Sequence, residues 1–298
     1  MLNILNYKLY KHAWIDKCAP HHGEKLSQDD IRLLLSNGGV MVRNTYDFDC
    51  KEETSFWYVI KDSFEGMEEL SSRCRGKVRR SLKTYDVRRV SAQELLAVGL
   101  PIYQEACKSY KVKADIITKQ QFEDRIASCE KAGNTDFWCL YDRTTCQAVA
   151  LAINTVYGDC CEYNTLKCKP SAMRNSTYPY YGLIYEMNRY YLEELKLKYV
   201  NDGARSITEH SNIQPFLIDT FHFRKAYCKL QVEYKWWMRL VVNLLYPFRK
   251  IIPFLSVKSV LRMEFFIGIY DVDMCVLFIY VLLRNISYDK FCCVEEKV

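Results

Sequence analysis

The stretch "YVNDGARSITEHSN" brings Asp202, Arg205, Glu209 and His210 close together in the chain. Carboxylates beside an imidazole are the side chains that take and give protons near neutral pH. A guanidinium among them presents a rigid fork to a carboxylate or phosphate. The same residues also have a structural use. Asp202-Gly203 is a turn dipeptide, and Glu209-His210 stands where it could cap a helix beginning near Asn212. A second candidate pair, Glu162 and Tyr163, lies in "DCCEYNTLKC". Read as a strand, Glu162 shares a face with Cys160, Asn164 and Leu166, and Tyr163 shares the other with Cys161, Thr165 and Lys167. Only one of the two can face a given cleft.

A third concentration of charge is basic. In "LSSRCRGKVRRSLKTYDVRRVS" the residues Leu70, Cys74, Val78 and Leu82 recur at helical spacing and mark one apolar face. Arg73, Arg75, Lys77, Arg79, Arg80 and Lys83 occupy the remaining faces, with Arg88 and Arg89 following. Exposed helices usually mix signs for i,i+4 pairing. This one is either a solvated basic face or an electrostatic site for a phosphate-rich partner, whether nucleic acid, phospholipid or a nucleotide-bearing cofactor. Arg75, Arg79, Arg80 and Lys83 are its candidate anion contacts. Interleaved aromatics for base stacking are missing, and DNA is not an expected partner.

The elements that must position these groups follow from the rest of the chain. Its 298 residues, net charge of +6 and 23 tyrosines describe an ordinary globular protein of one large or two modest domains. The 14 cysteines form no CxxC pair, and the N-terminus lacks the marks of a secretory signal. A reduced, cytosolic chain with core cysteines is expected. His12, Cys18, His21 and His22 match no familiar zinc spacing, so no metal is expected. Strand signals fill "GGVMVRNTYDFDC" and "TSFWYVIKDSF". After the basic helix, "SAQELLAVGLPIYQEACKSY" opens on a Ser-x-x-Glu capping signature, and "TKQQFEDRIASCEKAG" is a second helix from Thr118 to Gly133. Three strands, a long tyrosine-rich helix, a short strand, a helix and a last strand complete the order α-α-β-β-β-α-β-α-β. The fold class is α/β, a mixed central sheet flanked by helices.

This order, and the segment "NIQPFLIDTFHFRKAY" in particular, resembles the GNAT family of N-acetyltransferases. In that family an Asn-led helix runs into Gly-Phe and a strand; here Asn212 leads and His222-Phe223 stands at the junction. The basic helix and "LKLKYVNDGARS" are similar to features of the Fem-type (FemAB-like) aminoacyltransferases. The resemblance covers roughly 66–236, with 1–65 as a strand-rich N-terminal part and 237–298 as a hydrophobic C-terminal tail. It implies transfer of an acyl or aminoacyl group from an activated donor to an amine, with a cell-envelope precursor as one class of acceptor. Asp202 and Glu209 would then bind or deprotonate the amine, and Arg205 would hold an acceptor carboxylate or phosphate. His210 would shuttle a proton, with Glu162 or Tyr163 on the facing strand. Arg174, Tyr181, Asn212 and Arg224 are the further substrate contacts it implies.

The sequence departs from the acetyl-CoA users of that fold. Where they carry a glycine-rich pyrophosphate turn, "MRNSTYPYYGLIYE" has Arg174, a lone Gly182 and bulky Tyr180 and Tyr181. Ile218 stands where many members have a general-acid Tyr. No tightly bound cofactor is expected; the donor is an acyl-CoA, an acyl carrier or an aminoacyl-tRNA. The alternative is a catalytically inert GNAT-like module that binds a phosphate-rich ligand. The tail, "WWMRLVVNLLYPFRKIIPFLSVKSVLRM", interleaves aromatic, aliphatic and basic residues, with Pro247 and Pro253 as breaks. That is the texture of a segment at a membrane interface, so peripheral attachment at the inner membrane face is expected.

Overall fold

The computed structural model describes residues 4–109, 116–206 and 213–267. The described residues divide into two compact units, one of 4–57, 206 and 227–267, the other of 58–109, 116–205 and 213–226.

The first unit contains β1 (Tyr7–Tyr10), β2 (Ala13–Asp16), α1 (Gln28–Ser36) and β3 (Met41–Tyr46), together with most of β10 (Arg224–Tyr234). Its strands follow the order β1-β2-β3-β10, parallel only between β2 and β3. Ile31 and Leu34 of α1 pack with Tyr7, Leu26 and Val42 into one core. Two helices close this unit, α8 (Trp236–Leu245) and α9 (Leu255–Ile267); Pro247 and Pro253 both fall between them, as the breaks in the sequence require.

The second unit carries the candidate chemistry. Its sheet has the order β4-β9-β8-β7-β6-β5, with β4 (Phe56–Lys61), β5 (Tyr85–Val90), β6 (Thr135–Asp142), β7 (Ala148–Tyr157), β8 (Cys160–Cys168) and β9 (Tyr199–Ala204). All its pairings are antiparallel except β8 with β9. The helices are α2 (Ser72–Thr84), α3 (Ala92–Lys108), α4 (Lys119–Ala132), α5 (Pro170–Arg174), α6 (Pro179–Asn188) and α7 (Ile213–Phe221). Leu95 and Ile102 of α3, Phe122 and Ile126 of α4, and Phe137, Leu151 and Ile153 of the sheet form one buried cluster.

Local sequence accounts for the boundaries. The Ser71 side chain accepts the Cys74 N–H at the start of α2, and the Ser91 side chain accepts the Glu94 N–H at the start of α3. The Glu94 carboxylate does not close a capping box; it accepts from Arg88 and Tyr141 instead. The full box belongs to Thr118 and Gln121 at α4, which Gly133 ends in the left-handed conformation (φ 71°). The basic helix stops at Thr84, and Tyr85 to Val90, with alternating bulky residues, becomes β5 paired to β6. The long tyrosine-rich helix is α6 continued by a π-helical turn, Arg189–Glu194. That turn presents the fully buried Tyr191, whose hydroxyl accepts from Trp138 Nε1 at 2.9 Å and donates to Asp136 Oδ2 at 3.0 Å. Among the described residues, no helix is long and apolar enough to cross a membrane.

Candidate functional site

Strands β8 and β9 pair only at Cys160–Tyr199, Cys161–Val200 and Glu162–Asn201. Beyond that point they part, and no described strand pairs with β8 on that edge. The fork therefore opens where the sequence places Glu162 and Tyr163 on one side and Asp202 on the other. A register shift between Ile153 and Asn154 skips Asn164 in the pairing with β7, a bulge that bends β8 at the same level.

Each side of the fork is set by an identifiable contact. Asn201 is fully buried; its Nδ2 donates to the Cys161 carbonyl at 3.3 Å, and its Oδ1 accepts the Gly203 N–H at 2.9 Å. That second bond folds the chain over Gly203, whose φ of 84° is natural for glycine. A Cβ on Gly203 would lie 3.8 Å from Glu162 Oε1, so the Glu162 carboxylate stands directly over this turn. Asp202 is half-buried. Burial, and then the nearby Glu162 charge, push its carboxyl from 3.8 up to about 7, while a hydrogen bond from Gln214 at the start of α7 opposes the shift. Gln214 also donates to the Ala204 carbonyl at 3.0 Å, tying α7 to the end of β9.

Tyr163 takes the other face. It is buried, its hydroxyl donates to Asn188 Oδ1 at 2.8 Å, and its ring centroid lies 6.4 Å from that of Phe223. Desolvation raises its pKa far above the ordinary tyrosine value. The hydroxyl is thus a committed donor within the core. Phe223 is itself buried, and His222 before it adopts the left-handed conformation (φ 57°). The helix-to-strand corner is therefore an aromatic plug preceded by a turn residue.

The remaining candidates sit as follows. Arg205 is half-buried at the end of β9, and Arg174 is exposed on α5. Arg224 donates to Asp62 Oδ2 through Nε at 3.0 Å and through a terminal nitrogen at 2.5 Å. Glu209, His210 and Asn212 lie outside the described residues. On α2, Arg75 is paired with Glu68 at 3.2 Å. Arg79, Arg80 and Lys83 are exposed, with no carboxylate in salt-bridge range among the described residues.

Lys77 of α2 is held in place by two tyrosines. Its Nζ donates to the Tyr181 hydroxyl at 2.9 Å and lies 4.7 and 5.2 Å from the Tyr181 and Tyr178 ring centroids. It lines a cavity of about 300 Å³ with Arg73, Cys74, Tyr181, Asp219 and Thr220. The signal in the sequence is the spacing of Arg73, Lys77 and Arg80 at i, i+4 and i+7, one flank of a helix.

The start of α6 offers little to an anion. Pro179 has no N–H, and the Tyr181 N–H is already donated to the Tyr178 carbonyl at 2.9 Å. Gly182 packs α6 against α2, since a Cβ there would lie 2.5 Å from Ser81 Oγ. The glycine serves helix packing and leaves no phosphate loop.

No protein-family model matches the sequence, and no curated protein is significantly similar to it. Solved structures are similar in shape. FemX superposes with a TM-score of 0.50 at 10% identity, over 65% of this chain and 72% of that one. L-PGS from Bacillus licheniformis gives 0.48 at 8% identity, over 80% and 83%. A PaiA N-acetyltransferase from Thermoplasma acidophilum, in complex with coenzyme A, gives 0.31 at 12% identity, over 38% and 75%. The forked β8–β9 pair in a mixed sheet flanked by helices gives this chain a GNAT-like fold of the Fem type.

Proposed function

We propose that the protein transfers an acyl or aminoacyl group from an activated donor to an amine, with Asp202 as the base. The observation that carries this reading is the Asp202 carboxyl at the mouth of the β8–β9 fork, raised to about 7 by burial and by Glu162. A base of that strength is matched to an ammonium that must lose a proton near neutral pH. In the proposed step Asp202 takes a proton from the acceptor ammonium, and the freed amine attacks the donor carbonyl carbon. The new C–N bond forms, the bond from carbonyl carbon to the donor's sulfur or oxygen breaks, the departing thiolate or alkoxide takes up the second proton that the attacking nitrogen sheds, and Asp202 releases the first to solvent. The unpaired edge of β8 beyond Glu162 supplies backbone N–H groups to polarise the carbonyl. Glu162 holds the ammonium before transfer and keeps Asp202 basic.

The donor's phosphates are assigned to α2, where Arg79, Arg80 and Lys83 are exposed and Arg73 and Lys77 border the cavity. The closed start of α6 favours an aminoacyl-tRNA or carrier-bound donor over acyl-CoA, and the acceptor is an amine of a small molecule or an envelope precursor. A second reading, an inert module that binds phosphate-rich ligands, rests on the same cations of α2. Incubating the protein with pooled acyl-CoAs, charged tRNAs and acyl carrier protein separates the two by mass spectrometry. Consumption of one donor class supports transfer; salt-sensitive retention of a phosphate-rich component without turnover supports the binding module.

A further inference from the structure

Helix α8 is built inside out. Trp236, Leu240 and Leu244, at i, i+4 and i+8, are 77%, 60% and 66% exposed. Its one charged residue points the other way. Arg239 donates to Glu264, which is fully buried, and to Glu233, each at 3.4 Å, and its guanidinium lies 4.8 Å from the Tyr234 ring centroid. A helix facing water has the opposite arrangement. The apolar stripe continues past the helix through Phe248, Ile251 and Phe254, all exposed.

The charge around this stripe identifies what covers it. Residues 235–267 hold six basic side chains, Lys235, Arg239, Arg249, Lys250, Lys258 and Arg262, and one acidic one, Glu264. Arg239 is engaged by both Glu264 and Glu233, and the other five charged side chains of 235–267 are all basic. A second copy meeting this face through a two-fold axis would set cation against cation. An anionic lipid surface answers both features. Its acyl boundary takes the leucines, its headgroup layer takes tryptophan, and its phosphates attract lysine and arginine.

We infer that α8 and the segment following it to Phe254 dock the protein on an anionic bilayer, with Leu240 and Leu244 at the acyl boundary and Trp236 in the headgroup layer. This surface is independent of the transfer reading, and vesicle binding tests it whether or not any donor is consumed.

The test uses the full chain, pelleted with vesicles of phosphatidylcholine alone or mixed with phosphatidylglycerol. The comparison is a Leu240→Glu, Leu244→Glu double variant, which alters only exposed side chains; its melting curve checks the fold. Binding to the anionic vesicles is expected, weakening with salt. The variant should lower the partition coefficient roughly tenfold or more, because buried apolar area becomes charge in the interface. The emission component lost in Trp236→Phe should shift to the blue on vesicle binding. Three results overturn the inference. One is the absence of vesicle binding. Another is binding that the double variant leaves intact, which would place the contact elsewhere on the chain. The third is a solution dimer that the double variant dissociates, which would make the occupant a second copy.

Discussion

Replacing Asp202 with Asn should stabilise the protein at pH 8, leave it nearly unchanged at pH 3, and abolish transfer. The carboxyl is raised from 3.8 to about 7, chiefly by burial and then by Glu162. Each pH unit of such a difference corresponds to about 1.4 kcal/mol, so the ionised form carries a penalty of about 4 kcal/mol in a dry site. Asp202 is only half-buried, and solvent screening brings the figure to about 2–3 kcal/mol. Between about pH 4 and 7 the folded chain keeps a proton that the unfolded chain has released. The wild type therefore loses stability as pH rises through that window and levels off above it. Asn carries no charge in either state and removes this slope. Thermal unfolding of both proteins at pH 3 and pH 8 reads the effect directly, with an expected rise in midpoint of about 5–10 °C for the variant at pH 8 and almost none at pH 3. A shift equal at both pH values, or none, would refute the assignment of a raised pKa to this carboxyl. Gain of stability with loss of activity is the usual signature of a group held in a costly state for function.

Other substitutions probe the frame of the site. Gly182→Ala should cost about 1–3 kcal/mol in urea unfolding through the Ser81 clash, and the same change should cost little in a Ser81→Gly background. Phe223→Ala should cost about 3–5 kcal/mol by emptying the corner beside Tyr163, as measured by the same titration. Glu69→Ala strands the Lys61 ammonium, 2% exposed and bonded to Glu69 at 3.0 Å, and should cost about 3–5 kcal/mol. With a consumed donor in hand, Arg79→Glu with Arg80→Glu should raise its KM and flatten its salt dependence while leaving kcat unchanged.

Most of the second unit was legible because its signals are local and agree with one another. Thr118 and Gly133 bracket α4, hydrophobic runs of strand length mark β6 to β8, and the spacing of Cys74 and Val78 fixes the buried face of α2. Hidden elements were those whose identity depends on partners. The strand β5 follows a basic helix without a break in charge and exists because β6 pairs with it. In the first unit, β1 and β2 are four-residue strands with mostly partly exposed side chains, too short for period-2 alternation to register. Asp202 was visible as a polar residue in a short strand. Its raised pKa was not, because that depends on Glu162 standing over Gly203 across a parallel pair. Tyr163 shows the converse. Alternation left it level with Glu162 as a candidate, and only its bond to Asn188 commits it to the core.

The most direct test of the account compares wild type and Asp202→Asn in a single-turnover assay at pH 8. Each is mixed with charged tRNA, acyl carrier protein and acyl-CoA donors and an excess of amine acceptors, and product amides are followed by mass spectrometry. The account predicts that the wild type consumes one donor class and forms an amide, and that the variant, folded and more stable, forms none. Amide formation by the variant at the wild-type rate would contradict it, as would a wild type that consumes no donor.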